Sequence, residues 1–228
     1  MTRKAIEELI KPANEMAFPR RRLGNSSEKS THITGPIDTA KLAAEKDVCL
    51  HTHLAETEDE NAFCQEMFGC RPLDYLEQVG WLNDRVWLAH GIHFSPSEIK
   101  RLGEANIGVS HCPSSNMILG SGICPIMDLE TAQVPVGLGV DGSASADSSN
   151  LMQEVRQALL IQRLTSPPEA ITPERALHWG TLGGAKLIHR DDIGQIAPGY
   201  EADDVLGTLA NRGANEGWRV RKIGRAHV

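Results

Sequence analysis

The segment His51-Thr52-His53-Leu54-Ala55-Glu56 brings together the residue types that a hydrolytic metal site needs. An imidazole at the end of a strand is a metal ligand, and a carboxylate three residues later stands beside it to accept and pass on a proton. Further chemistry-bearing residues follow at similar intervals. His90 ends Arg85-Val86-Trp87-Leu88-Ala89, His111 ends Ile107-Gly108-Val109-Ser110, and Asp141 ends Val136-Gly137-Leu138-Gly139-Val140. Neutral imidazoles with a carboxylate suit zinc or iron(II), and an open coordination position lowers the pKa of bound water to about 7. Hydrolysis is the chemistry such a set predicts, with Glu56 as general acid and base.

These residues need elements that aim them at one place. Each follows a short apolar, β-prone run, the first being Asp47-Val48-Cys49-Leu50. Between the runs, Pro72 to Val79 and Ser97 to Ala105 have helical periodicity, the latter opened by Ser95-Pro96-Ser97-Glu98 in capping-box spacing. Strand alternating with helix predicts parallel strands joined by right-handed crossovers. The expected fold is α/β, a partial TIM-type barrel of about four βα units, whose strand ends form the catalytic rim. His111-Cys112-Pro113-Ser114-Ser115-Asn116 reads as a strand turning into a polar loop at that rim. Gly142 to Asp147 is a loop of small residues with room for a planar ligand. His51 shares the strand face of His53, one layer lower, and His93 is read as a loop residue. Leu151 to Leu164 reads as an amphipathic helix, and Thr172-Pro173 starts another with threonine as N-cap.

Composition narrows the setting. The 228 residues hold 30 acidic and 23 basic side chains and a formal charge of -7, which gives no footprint for nucleic acid. A hydrophobic content of 40% supports a packed core, and no apolar run is long enough for a membrane span. The N-terminal residues do not read as a signal peptide. Five cysteines, odd in number and without CxxC spacing, predict neither a disulfide framework nor a thiolate zinc site, and they fit a reducing cytoplasm. Cys49 and Cys112 are predicted as core positions within strands, Cys64 and Cys70 as helix or loop positions.

The order of four motifs carries a resemblance: HTHLAET, WLAHGIHFS, SHCPSSNMILGSGICP and VGLGVDGSASADSSN. From Ile37 to Asp204 the chain resembles the second half of an amidohydrolase-superfamily barrel, strands five to eight, and is most similar to the 8-oxoguanine deaminases. That resemblance implies His53 and Asp141 as metal ligands, with Asp141 also touching the attacking water. It implies Glu56 as the catalytic carboxylate, His90 as the group that orients or polarises the reacting centre, and a divalent metal, zinc ahead of iron. It further implies a small heterocyclic substrate, held with help from His111, Ser115 and Asn116, and conversion of 8-oxoguanine to urate and ammonia. Hydrolysis of an s-triazine substituent is the alternative within the same scaffold.

The resemblance also implies a first-strand HxH metal pair, which this sequence lacks, so the chain reads as a truncated barrel. A non-catalytic half-barrel that associates with a second copy through its open edges therefore stands beside the enzyme reading. Residues 1–36, with the Arg20-Arg21-Arg22 cluster, match nothing in the family and are expected to be disordered. The same expectation holds for 205–228, where the strand pattern is lost.

Overall fold

A computed structural model describes residues 31–201 and two short segments beyond them, 205–208 and 219–222. The apolar runs form one sheet of four parallel strands in the order β1 (Leu50–Leu54), β2 (Val86–His90), β3 (Gly108–His111) and β4 (Val136–Leu138). Sequential order in a parallel sheet is the winding of a barrel, and this arc is the predicted partial TIM-type fold. Helix α1 (Thr31–Lys46) precedes β1, and α2 (Glu58–Phe68) with α3 (Pro72–Gln78) joins β1 to β2. α4 (Pro96–Glu104) leads to β3, then α5 (Pro113–Leu119) and α6 (Ile126–Thr131) lead to β4. After β4 come α7 (Leu151–Gln162), α8 (Pro173–His178), a π-helical stretch Trp179–Gly183 and α9 (Gly184–Leu187).

Local chemistry sets these boundaries. Ser95 accepts the Glu98 N–H at 3.3 Å while the Glu98 carboxylate accepts the Ser95 N–H at 2.7 Å, the predicted capping box. Thr172 likewise accepts the Arg175 N–H at the start of α8. Glu98 also takes two 2.8 Å bonds from the Arg71 guanidinium, which in turn donates to the His93 carbonyl at 2.9 Å. A buried, bidentate carboxylate of this kind fixes geometry more than it adds stability. What it fixes is the connection from His90 to α4.

The core lies between sheet and helices, with Leu54, Val86, Leu88, Val109, Leu73, Leu102, Ile126 and Leu129 all buried. Two glycines permit the closest approaches of backbone to backbone. A Cβ on Gly103 would sit 1.9 Å from the Ala132 carbonyl oxygen, and one on Gly183 would sit 2.2 Å from that of Val136.

Several expectations are corrected. α1 begins at Thr31, inside the stretch expected to be disordered, and Ile37, Ala40 and Ala43 pack its face onto the core at three-residue spacing. Residues 205–228 contain an antiparallel ribbon, β5 (Val205–Thr208) with β6 (Arg219–Lys222), where Val205-Leu206 and Val220 supply β-prone residues. The rest of both tails lies outside the described residues, as do Ala202 and Asp203. The loop read after Cys112 is helix α5, because Pro113 suits a first helical turn and the Asn116 N–H closes it on the Cys112 carbonyl at 2.9 Å. Cys49 is exposed ahead of β1 rather than in the core, whereas Cys112 and Cys64 are buried.

Candidate active site at the strand ends

His53, His90 and Asp141 meet at the C-terminal ends of the strands, each offering a ligand atom within 4.8 Å of the others. Glu56 joins them, its Oε2 3.8 Å from His90 Nε2, and Asp141 Oδ2 lies 3.7 Å from the same nitrogen. The backbone bends to make this possible. In a regular pleat His90 shares the face of Val86 and Leu88, away from the face of its neighbour's His53. Its φ of 71° breaks the pleat, and its ring stands edge-on to that of His53 with centroids 4.8 Å apart. Ala55 at 54° and Asp141 at 58° are also left-handed, a conformation that costs non-glycine residues about 1–3 kcal/mol each. Asp141 lies three residues beyond the end of β4 rather than within the strand.

Both oxygens of Asp141 are held. The Gly142 N–H donates to Oδ1 at 2.7 Å, while the Ser115 and Ser145 hydroxyls donate to Oδ2 at 2.6 and 3.3 Å. Burial raises the carboxyl's pKa, but the Ser115 hydroxyl, the Gly142 N–H and the His90 and His53 rings outweigh it, and the net shift is downward. Asp141 is therefore an anion near neutral pH. Burial lowers the pKa of His53, and His90 adds to this against the pull of Asp141 and Glu56. A neutral imidazole beside an anionic carboxylate is a metal-ready pair.

Ser115, Asn116 and His111 were expected to touch substrate. All three are buried. Ser115 supports Asp141. The Asn116 amide bridges the two rings, its Oδ1 2.8 Å from His90 Nδ1 and its Nδ2 3.4 Å from His111 Nδ1. α5 carries Ser115 and Asn116, and His111 ends β3.

The His51 ring stacks on Trp87 with centroids 3.6 Å apart and bonds through Nδ1 to the Trp87 carbonyl. His93 binds the Ser121 carbonyl through Nε2 at 2.8 Å. Glu60 and Ser145 also belong to the site. Glu60 accepts the Glu56 N–H at 2.8 Å and so holds the loop that carries Glu56. Burial pushes its carboxyl up to about 7 against the backbone N–H groups it accepts from. Glu60 is one of three successive acids after Thr57, Glu58-Asp59-Glu60, and nothing in the sequence singles it out from the other two.

His90 Nε2 is fully buried and has no hydrogen-bond partner in the structure. An orphan imidazole nitrogen facing a second imidazole and a carboxylate fits a divalent cation, with His53, His90 and Asp141 as the residues within reach.

A parallel β/α arc with three side chains able to ligate a metal at its C-terminal rim has the form of a half-barrel of the metal-dependent hydrolase type. Residues 26–215 match the amidohydrolase family, and the chain belongs to it. It is 62% identical over 168 residues to an 8-oxoguanine deaminase from Pseudomonas aeruginosa, covering 74% of this chain and 37% of that protein. Among solved structures, an adenosine deaminase from Xanthomonas campestris with bound zinc matches with a TM-score of 0.75 and 33% identity, over 78% of this chain and 41% of that one. An atrazine chlorohydrolase from Arthrobacter aurescens complexed with zinc gives 0.73 and 34%, over 76% and 39%. The chain thus spans about two fifths of the length of these relatives.

Proposed function

We propose that this chain supplies the strand-five to strand-eight half of a zinc-dependent hydrolytic deaminase, with 8-oxoguanine as substrate and urate and ammonia as products. The observation that carries the reading is the meeting of His53, His90 and Asp141 with Glu56 beside them. The substrate assignment rests on the 62% identity to the 8-oxoguanine deaminase.

His53 and Asp141 would hold the ion, with His90 within reach of it. When bound, such an ion acts as a Lewis acid and makes water nucleophilic near neutral pH. The chain's own residues do the rest. Asp141, kept ionised by Ser115 and Gly142, orients the attacking water and accepts hydrogen bonds from it. Glu56 takes a proton from that water and delivers it to the exocyclic amine, so that the C–N bond breaks and ammonia leaves. His90 bears on the oxygen side of the reacting carbon, where charge develops. Solvent access is restricted on the His90 side, which is completely buried.

No helix among the described residues is long and apolar enough to cross a membrane. Five free cysteines support placement in a reducing cytoplasm.

The test is a hybrid in which residues 37–204 replace the matching segment of the Pseudomonas aeruginosa deaminase. We expect zinc-dependent release of ammonia and urate from 8-oxoguanine, faster than from guanine or adenosine. A hybrid that prefers a hydroxylated s-triazine would support the second reading, which the atrazine chlorohydrolase match favours. A folded, zinc-loaded hybrid inert on all four compounds would overturn the deaminase reading.

A further inference from the structure

Helix α7 follows the Asp141 turn and carries a buried stripe that the reaction scheme does not use. Glu154, Ala158 and Gln162, spaced to share one helix face, are each no more than 1% exposed. Both ends of the stripe hydrogen-bond to the segment between β3 and β4. The Glu154 carboxyl accepts the Ser114 N–H at 2.9 Å, and the Gln162 amide donates to the Cys124 carbonyl at 2.9 Å. We propose that Glu154 is a positioning residue: it fixes the first turn of α5 and thereby holds the Ser115 hydroxyl on Asp141. What that does for a bound metal rests on the deaminase reading above. The link from Glu154 to Asp141 does not.

The first turn of α5 takes its acceptor from elsewhere in the fold. A helix start leaves N–H groups that its own carbonyls cannot reach, and the residue before the helix ordinarily supplies a side-chain oxygen to them. Cys112 stands at that position and makes no such bond. Pro113 has no N–H, so Ser114 carries the first donor of the helix, and Glu154 accepts it from α7. The next residue is Ser115, whose hydroxyl donates to Asp141 Oδ2 at 2.6 Å. A single peptide link therefore joins the residue that Glu154 holds to the residue that holds Asp141.

Burial makes the contact costly. Glu154 is completely buried and its Oε1 has no hydrogen-bond partner, whereas an apolar side chain of similar size would bring no polar atom to desolvate. A carboxyl held this way adds little stability, and direction is what it supplies. The helix that presents it is itself pinned at its start. Asn150 accepts the Met152 and Gln153 N–H groups at 3.0 and 3.3 Å, just ahead of Glu154.

Carbon-detected NMR of the 13C-labelled full chain at pH 8 reads the Asp141 carboxyl carbon, whose resonance follows the hydrogen bonds that the group accepts. Asp141→Asn identifies the resonance, and Ser115→Ala sets the displacement that loss of the hydroxyl produces. Glu154→Leu should displace it in the same direction, and adding Glu154→Leu to Ser115→Ala should displace it no further. Two more variants separate reach from polarity. Glu154→Gln keeps the length and a carbonyl oxygen for the Ser114 N–H, and the resonance should stay. Glu154→Asp is one methylene shorter, and the resonance should move. Leu102→Ala damages a fully buried position on α4 and should leave Asp141 where it is. An Asp141 resonance unmoved by Glu154→Leu or by Glu154→Asp, displaced further in the double variant, or displaced equally by Leu102→Ala overturns the proposal. If Glu154→Leu does not fold, Glu154→Asp and Glu154→Gln decide. Neither metal nor turnover enters the measurement, so failure of the deaminase reading and failure of this proposal are separately visible.

Discussion

The two central strands and the two edge strands treat their functional side chains differently. β2 and β3 end in His90 and His111, both buried and linked through Asn116. β1 and the turn after β4 offer His53, which is exposed, and Asp141, whose side chain is 15% exposed. Of the four described strands, the inner two bury their terminal histidines, while His53 and Asp141 at the outer two keep contact with solvent. Glu56 belongs to the edge group, on the turn after β1, and its removal should have the largest effect. In the hybrid enzyme Glu56→Gln should lower turnover by about 10²–10⁴-fold, the usual share of a general acid and base, with zinc content unchanged. Turnover within tenfold of the parent would break the assignment of proton transfer to the edge.

Stability should divide along the same line. Leu88 is fully buried on central β2, and Leu88→Ala should cost about 2–5 kcal/mol. Leu50 on edge β1 keeps 9% exposure, and the site can collapse more easily around a smaller side chain, so Leu50→Ala should cost less. Urea unfolding of the chain compares them, and equal costs would show that the free side of β1 is as tightly packed as the centre.

The sequence placed His53, His90 and Asp141 in one pattern, each at the end of a strand-like run, with Glu56 three residues after His53. The capping box at Ser95 and Glu98 was equally visible, being a local pattern that forms local bonds. What could not be read was direction. The positive φ at His90 swings its ring off the face that strand alternation assigns, and no residue type signals that. Ser115 and Asn116 look like turn residues after a proline. They become supports for Asp141 and His90 only because α5 forms there, and a seven-residue helix is too short for periodicity to reveal. Glu60 acts through a backbone N–H of Glu56, a partner that carries no sequence signature.

Acid should find the difference too. Burial lowers the pKa of His51, on edge β1, from 6.5 to about 4, and that of His111, on central β3, to about 3. In each case the folded chain holds the ring neutral while the unfolded chain takes up a proton. The stabilisation is complete above pH 6.5 and is lost as pH falls through 6.5, ending near 4 for His51 and near 3 for His111. At 1.36 kcal/mol per unit the His51 contribution is at most about 3 kcal/mol, and partial exposure reduces it. His51→Gln should flatten the fall in stability between pH 6.5 and 4, measured by urea unfolding at several pH values. An unchanged slope would mean that His51 is as accessible to water in the fold as in the unfolded chain.

The smallest effect should fall where the two groups touch. Ser115 is buried on α5, yet its hydroxyl donates to Asp141 Oδ2 at 2.6 Å and so ties the central layer to the edge ligand. Ser115→Ala removes that bond but leaves the Gly142 N–H on Oδ1 and the Ser145 hydroxyl on Oδ2. Asp141 should remain in place with its pKa moved back toward the ordinary carboxylate range, because the largest of the opposing influences to burial is gone. Loss of one supporting bond around a metal ligand typically weakens affinity by about 10–100-fold. Zinc titration of the hybrid against a competing chelator should show a loss within that range and a steeper decline in affinity as pH falls, since a carboxylate with a higher pKa competes less well with protons. An unchanged affinity would show that Ser145 and Gly142 suffice, and that the edge ligand needs no support from the centre of the sheet.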